Sequence, residues 1–160
     1  MACSRKLKCE VINHLSKIYA FIIIVPLIAV LLFKGVFFYE YDTKQRYIKD
    51  MVDSTTYVVK ITGVLAMDGY SELKAKLNKS GRFNDTNIKL MKGVYTNGTI
   101  TGMTPYILGT QLSKGDAFLI YVKSAEVSNY SRLQNGGVNP DETQNIYYCA
   151  KAQCRVEYVP

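Results

Sequence analysis

The hydrophobic pattern changes its rhythm three times along the chain. From Ile18 to Phe33 the sequence reads IYAFIIIVPLIAVLLF without a charge, and past Lys34 apolar character resumes in Gly35-Val36-Phe37-Phe38. As a helix, residues 18–38 measure about 31 Å, the thickness of a bilayer's hydrocarbon core. Beyond them, Ile48, Met51, Val52, Thr55, Val58, Val59, Thr62 and Leu65 recur in steps of three and four, one face of a helix. No Pro or Gly lies between Val36 and Thr62. One nearly continuous helix is therefore predicted from about Ile18 to Ala66, apolar all round at first and then amphipathic, with Asp68-Gly69 as its stop. Ser71 is expected to cap a short helix presenting Leu73 and Leu77, ended by Asn78-Lys79-Ser80-Gly81.

From Asn87 onward the period shortens. Ile88 to Tyr95 is strand-like, Asn97-Gly98 is a hairpin turn, and residues 99–108 form the return, with Pro105 marking an edge or break. Lys114-Gly115-Asp116 turns into AFLIYVK, an unbroken apolar run suited to a central strand. Residues 125–143 collect turn formers and read as a long loop. At the C-terminus Ile146, Tyr148, Ala150, Ala152, Cys154, Val156 and Tyr158 alternate with Tyr147, Lys151, Gln153, Arg155 and Glu157, a half-buried strand with a bulge. The predicted fold is α+β: a transmembrane helix continuing into a long amphipathic helix, packed on a small antiparallel sheet.

The flanks of the apolar run set its orientation. Residues 1–17 carry Arg5, Lys6, Lys8 and Lys17 against Glu10, whereas residues 39–53 mix Glu40, Asp42, Asp50 and Asp53 with Lys44, Arg46 and Lys49. By the positive-inside rule residues 1–17 are cytoplasmic, 18–38 span the membrane, and 39–160 form an extracytoplasmic domain. After the run comes LLFKGVFFYEY, without a small-x-small cleavage site, so a signal anchor is expected in a single-pass cell-membrane protein. Lys34 snorkels, and Tyr19, Phe37, Phe38, Tyr39 and Tyr41 read as interfacial aromatics. The formal net charge of +7 first suggests an anionic partner. More than half of it, +4, lies in residues 1–38, at the cytoplasmic flank and Lys34, so it reads as a topological signal, with no nucleic-acid partner expected.

Candidate chemistry is sparse. His14, the only histidine, lies near the cytoplasmic interface, away from any external Ser or Cys. Phosphate-cradling glycine motifs, GxSxG and HExxH are absent, Gly136-Gly137 is a turn, and Asp141-Glu142 reads as a solvated turn rather than a catalytic carboxylate pair. No enzymatic activity, cofactor or metal site is expected. Cys3 and Cys9 face the cytoplasm, as free thiols or juxtamembrane acylation sites. Cys149 and Cys154 lie where a disulfide is chemically allowed, but a spacing of five puts them on opposite faces of an unbroken strand, about 16 Å apart. Either a tight loop interrupts the alternation and they pair, or they do not pair. Asn78, Asn84, Asn97 and Asn129 begin N-x-[ST] sequons, which are glycan acceptors in a suitable secretory pathway and otherwise turn-forming asparagines.

A basic start, one apolar span, an amphipathic extension and a small sheet resemble the layout of type IV pilin-like proteins. The segment DTKQRYIKDMVDSTTYVVKITGVLAMDGYSELKAKL, with Thr62-Gly63 and the later Leu112-Ser113-Lys114-Gly115-Asp116, is similar to TadE-like pseudopilins and to related small proteins of Gram-positive mobile elements. The resemblance covers about residues 18–124. It implies a non-enzymatic structural or assembly subunit of a pilus, secretion or conjugation apparatus, its partners being the lipid bilayer and other membrane or pilus-like subunits. The faces of 18–38 and 48–65 would pack on neighbouring copies. The chain departs from the pilin pattern at its start: residues 1–17 hold no Gly, and Glu10 precedes Ile18 by eight positions. A membrane-tethered module that binds a protein or ligand through the sheet and the 125–143 loop is the other expectation.

Overall fold

The structure is a computed structural model describing residues 2–96 and 99–157, with side chains described from residue 15 onward. It divides into two compact units, Met1–Phe38 and Tyr39–Pro160. One helix, α1 (Ala2–Thr62), belongs to both and contains Pro26. In the first unit the large apolar side chains are exposed, among them Phe21, Ile24, Leu27, Leu31 and Phe33. This is the chain's one helix among the described residues that is long and apolar enough to cross a membrane.

The second unit is α+β. After α1 come α2 (Met67–Leu77), β1 (Ile88–Thr96), β2 (Thr99–Pro105), β3 (Asp116–Val127), α3 (Asn129–Asn135) and β4 (Tyr147–Arg155). The four strands form one antiparallel sheet in the order β2-β1-β3-β4, so the apolar run of β3 is central and Pro105 ends an edge strand. Thr96 pairs with Thr99; Asn97-Gly98, the expected turn, lies outside the described residues, as do Tyr158 and the side chains of Cys3, Cys9 and His14. Gly93 lies opposite an irregularity in β2: a Cβ there would sit 2.8 Å from the Thr101 carbonyl oxygen, so no larger residue fits.

One face of the sheet carries the core. Ile88, Phe118, Ile120, Val122, Tyr148, Ala150, Ala152 and Val156 bury themselves together with Ile48, Val52 and Val59 of α1 and Leu73 and Leu77 of α2. Thr56 is also buried, and its hydroxyl donates to the Val52 carbonyl 2.8 Å away, so its polar atom is satisfied within the helix. The helical face predicted between residues 48 and 65 therefore divides. Ile48, Val52, Val59 and Leu65 are buried, Met51, Thr55 and Thr62 are half-buried, and Val58 is 47 % exposed. The expectation that this face packs on neighbouring subunits is corrected for its buried members, because the chain's own sheet and α2 already cover them.

Three boundaries also differ from expectation. The helix α1 ends at Thr62 rather than Ala66, because Gly63 takes a φ of 72° and its carbonyl accepts the Leu112 N–H at 2.8 Å. Asp68-Gly69 is no stop: it lies in the first turn of α2, whose N-cap is Ala66 rather than Ser71, and an acidic residue suits that end of a helix. The predicted loop 125–143 contains the last strand residues of β3 and then α3. There Ser128 caps the helix by accepting the Ser131 N–H at 3.2 Å, and Gly136 closes it.

Candidate functional site

Two surfaces of the second unit have shape or charge that the core does not explain. The first is an open groove of about 780 Å³ beside the first residues of β1, past the point where β2 ends. Its walls are mainly Met67, Tyr70, Ile88, Leu90, Pro105 and Ile107. Ile107 is 74 % exposed, and Met67 is exposed beside it. One wall is held by Tyr106, whose hydroxyl accepts the Leu65 N–H at 3.0 Å and donates to the Thr110 carbonyl at 2.6 Å, while its ring meets Phe118 edge-on at 5.1 Å. A rigid wall under exposed apolar side chains can take an apolar segment of a ligand or partner.

Two polar side chains of the groove's lining, Tyr70 and Asp85, are joined by Lys74. The Tyr70 hydroxyl donates to Asp85 at 2.8 Å and the Lys74 ammonium does so at 2.7 Å, on the same carboxylate oxygen. Burial, and next the Asp85 bond, push the Tyr70 phenol up to about 12. The Lys74 and Tyr70 hydrogen bonds hold the Asp85 carboxyl below its ordinary value. At neutral pH the phenol keeps its proton and the carboxylate is ionised. A catalytic base or nucleophile would need its pKa moved toward neutrality, and these two move away from it. The cluster ties α2 to the segment before β1.

The second surface is the sheet face opposite the core. Strand register places Lys89, Tyr121 and Lys151 in one row across three strands, with Met91, Leu119 and Gln153 in the next and Gly93, Ala117 and Arg155 beyond. Lys123 pairs in register with Cys149, and its ammonium lies 4.0 Å from the Tyr147 ring centroid.

The cysteines on β4 settle into two environments. They stand in one uninterrupted strand, the unpaired one of the two alternatives: both are free, Cys149 exposed on the open face and Cys154 half-buried on the core side. Burial pushes the Cys154 thiol up to about 11. Asp141 of the predicted turn pair accepts bonds from the Thr143 hydroxyl and N–H, which fixes a short 3₁₀ turn. Asn84 likewise opens the 3₁₀ turn before β1, while the Asn78 side chain accepts the Phe83 N–H at 2.8 Å. Among the described residues no group of three or more His, Cys, Asp or Glu side chains could hold a metal ion.

Gln45 is a structural contact that periodicity does not reveal. Its side-chain amide donates to the Cys149 carbonyl and its oxygen accepts the Cys149 N–H at 3.2 Å. One side chain of α1 thus occupies backbone groups on the outer edge of β4, which would otherwise be open to another strand. The only trace of this role in the sequence is one uncharged polar residue among charged neighbours on the helix. No family model, curated protein or solved structure matches the chain.

Proposed function

We propose that this chain is a non-enzymatic, single-pass membrane subunit of pseudopilin-like type. Its N-terminus is cytoplasmic, its second unit lies outside the cell, and it serves in the assembly of a pilus, secretion or conjugation apparatus. The observation that carries the reading is the division of labour along α1. The apolar side chains of residues 15–38 are exposed, while the apolar face of residues 48–59 is built into a folded domain. Lipid and neighbouring helices are the partners that suit the first stretch. The charge difference between residues 1–17 and 39–53 supports the orientation. Since Ile48, Val52 and Val59 are occupied, association runs through residues 15–38 and not through the 48–65 face. The test uses the full chain with its native cysteines replaced and single cysteines returned at Ile24, Ile28 or Leu31. Oxidative crosslinking in native membranes is expected to give a ladder of oligomers from at least one position and none from Ile48. A monomer at every position would sink the assembly role.

The groove beside β1 favours a second reading, a membrane-tethered module that binds an apolar segment of a partner. Ile107→Asp would then abolish capture of that partner while leaving the crosslinking ladder intact.

A further inference from the structure

Residues 39–160 hold fifteen Lys and Arg and twelve Asp and Glu, a nearly balanced composition. The fold does not distribute these charges evenly. On the sheet face opposite the core, the outward positions of β1, β3 and β4 include Lys89, Lys123, Lys151 and Arg155 and no carboxylate. All seven ion pairs formed among the described residues use other cations: Lys44, Arg46, Lys60, Lys74, Lys76, Arg82 and Arg132. The acids nearest this face are engaged elsewhere or stand beyond its edge. Glu126 faces Arg82 and Arg132, Glu157 pairs with Lys60, Asp85 shares the groove with Lys89 but is bonded to Lys74 and Tyr70, and Asp53 lies on α1 past the β4 edge without ion-pairing to Lys151.

The spacing suits an extended ligand. Lys89 and Lys151 flank Tyr121 across two strand intervals, about 10 Å, and Lys151 and Arg155 lie about 13 Å apart along β4. Tyr121 offers a half-exposed ring between two cations, with an apolar body and a polar tip. Of the other rings on this face, Tyr147 has Lys123 over one side, and Tyr95 stands six residues along β1 from Lys89, about 20 Å from the Tyr121 row. Rings so far apart do not make a platform for successive stacked bases. The face does fit a chain of sugars, one ring resting on tyrosine while acidic substituents meet the ammonium and guanidinium groups.

We infer that this face binds an acidic polysaccharide. The choice of a glycan over a nucleic acid also rests on the proposed extracytoplasmic placement of the domain. The test uses the full chain reconstituted in phosphatidylcholine nanodiscs, with fluorescein-labelled alginate oligomers as probe and neutral dextran and single-stranded DNA as comparisons. Alginate is expected to bind, with affinity falling as salt rises, and dextran not to bind. Each of Lys89→Gln, Lys151→Gln and Arg155→Gln should weaken binding by about threefold to fivefold. Lys79→Gln removes equal charge from an exposed position elsewhere that forms none of the ion pairs among the described residues, and should change it by less than about twofold. Tyr121→Leu keeps an apolar side chain and should weaken alginate binding at an unchanged salt slope. An equal loss at Lys79 would reduce the effect to net charge and overturn the site. Tighter binding of single-stranded DNA than of alginate at the same salt would overturn the choice of ligand. Neither result touches the crosslinking ladder, so this inference and the assembly role fail separately.

Discussion

The two halves of α1 use the same helical geometry and end in opposite environments. Residues 15–38 show apolar side chains on every side, and nearly all are exposed. Residues 39–62 mix charged and apolar positions, and Ile48, Val52 and Val59 disappear into a core. The first half has no polar side to turn toward water, so only another solvent or other helices can cover it. The second half has a polar side, held by the ion pairs Lys44–Glu40 at 2.6 Å and Arg46–Asp42 at 2.8 Å, and can therefore serve as one wall of a water-soluble domain.

Charge substitutions on the two halves should separate them most sharply. Ile48→Asp places an unpaired carboxylate at a fully buried position, so a loss of about 4 kcal/mol or more is expected in thermal unfolding followed by near-ultraviolet circular dichroism. Leu31→Asp should leave that unfolding transition in place and instead release the chain from membranes in alkaline extraction. If Leu31→Asp unfolds the domain, the halves are not independent. Within the second half, Val59→Ala is expected to cost about 2 kcal/mol and its exposed neighbour Val58→Ala under about 0.5, read from the same transitions.

Gln45→Ala tests how the second half guards the sheet. Loss of two hydrogen bonds to the β4 edge should cost about 1 kcal/mol and speed exchange of the Cys149 amide, without altering the core. Unchanged exchange would mean that water replaces the glutamine at no cost. Alkylation with iodoacetamide at neutral pH should modify Cys149 well before Cys154, which is half-buried and holds its proton up to about 11. Equal rates would show that β4 opens readily.

The smallest effect concerns Asp85. Its folded pKa is lower than its unfolded one, so its contribution to stability is present above the unfolded value, near pH 4, and is lost as pH falls through the folded value. Asp85→Asn should therefore lower stability slightly at neutral pH, flatten the acid limb below about pH 4, and converge with the native chain at its acid end. An identical acid limb would remove Lys74 and Tyr70 as its partners.

Much of this fold was legible because burial follows period. Ile48, Val52 and Val59 announced a helical face, AFLIYVK a central strand, and the alternation from Tyr148 to Ala152 a half-buried one. What was not legible depended on contacts between segments distant in sequence. Gly63 ends α1 because residues 106–112 return to bond its neighbourhood, and no local signal ranks it above Asp68-Gly69. The seven-residue helix α3 hid in a run of turn formers, since it is too short to show a period, although Ser128 and Gly136 stood in capping positions. The groove and the basic face were invisible because each joins residues from several strands.

The sequence alone determined that one stretch of helix has no polar side, that its flanks differ in charge, and that the remainder forms amphipathic helices and strands around one strand that is apolar throughout. Those are properties of neighbours along the chain, and side-chain period expresses them directly. Only the tertiary structure decided what meets what. It turned the 48–65 face inward to the chain's own sheet, and it separated Cys149 from Cys154. It also gathered Lys89, Lys123, Lys151 and Arg155 on one surface of a domain whose total charge is nearly balanced. Composition sums charges without positions, whereas strand register assigns each one a side of the sheet.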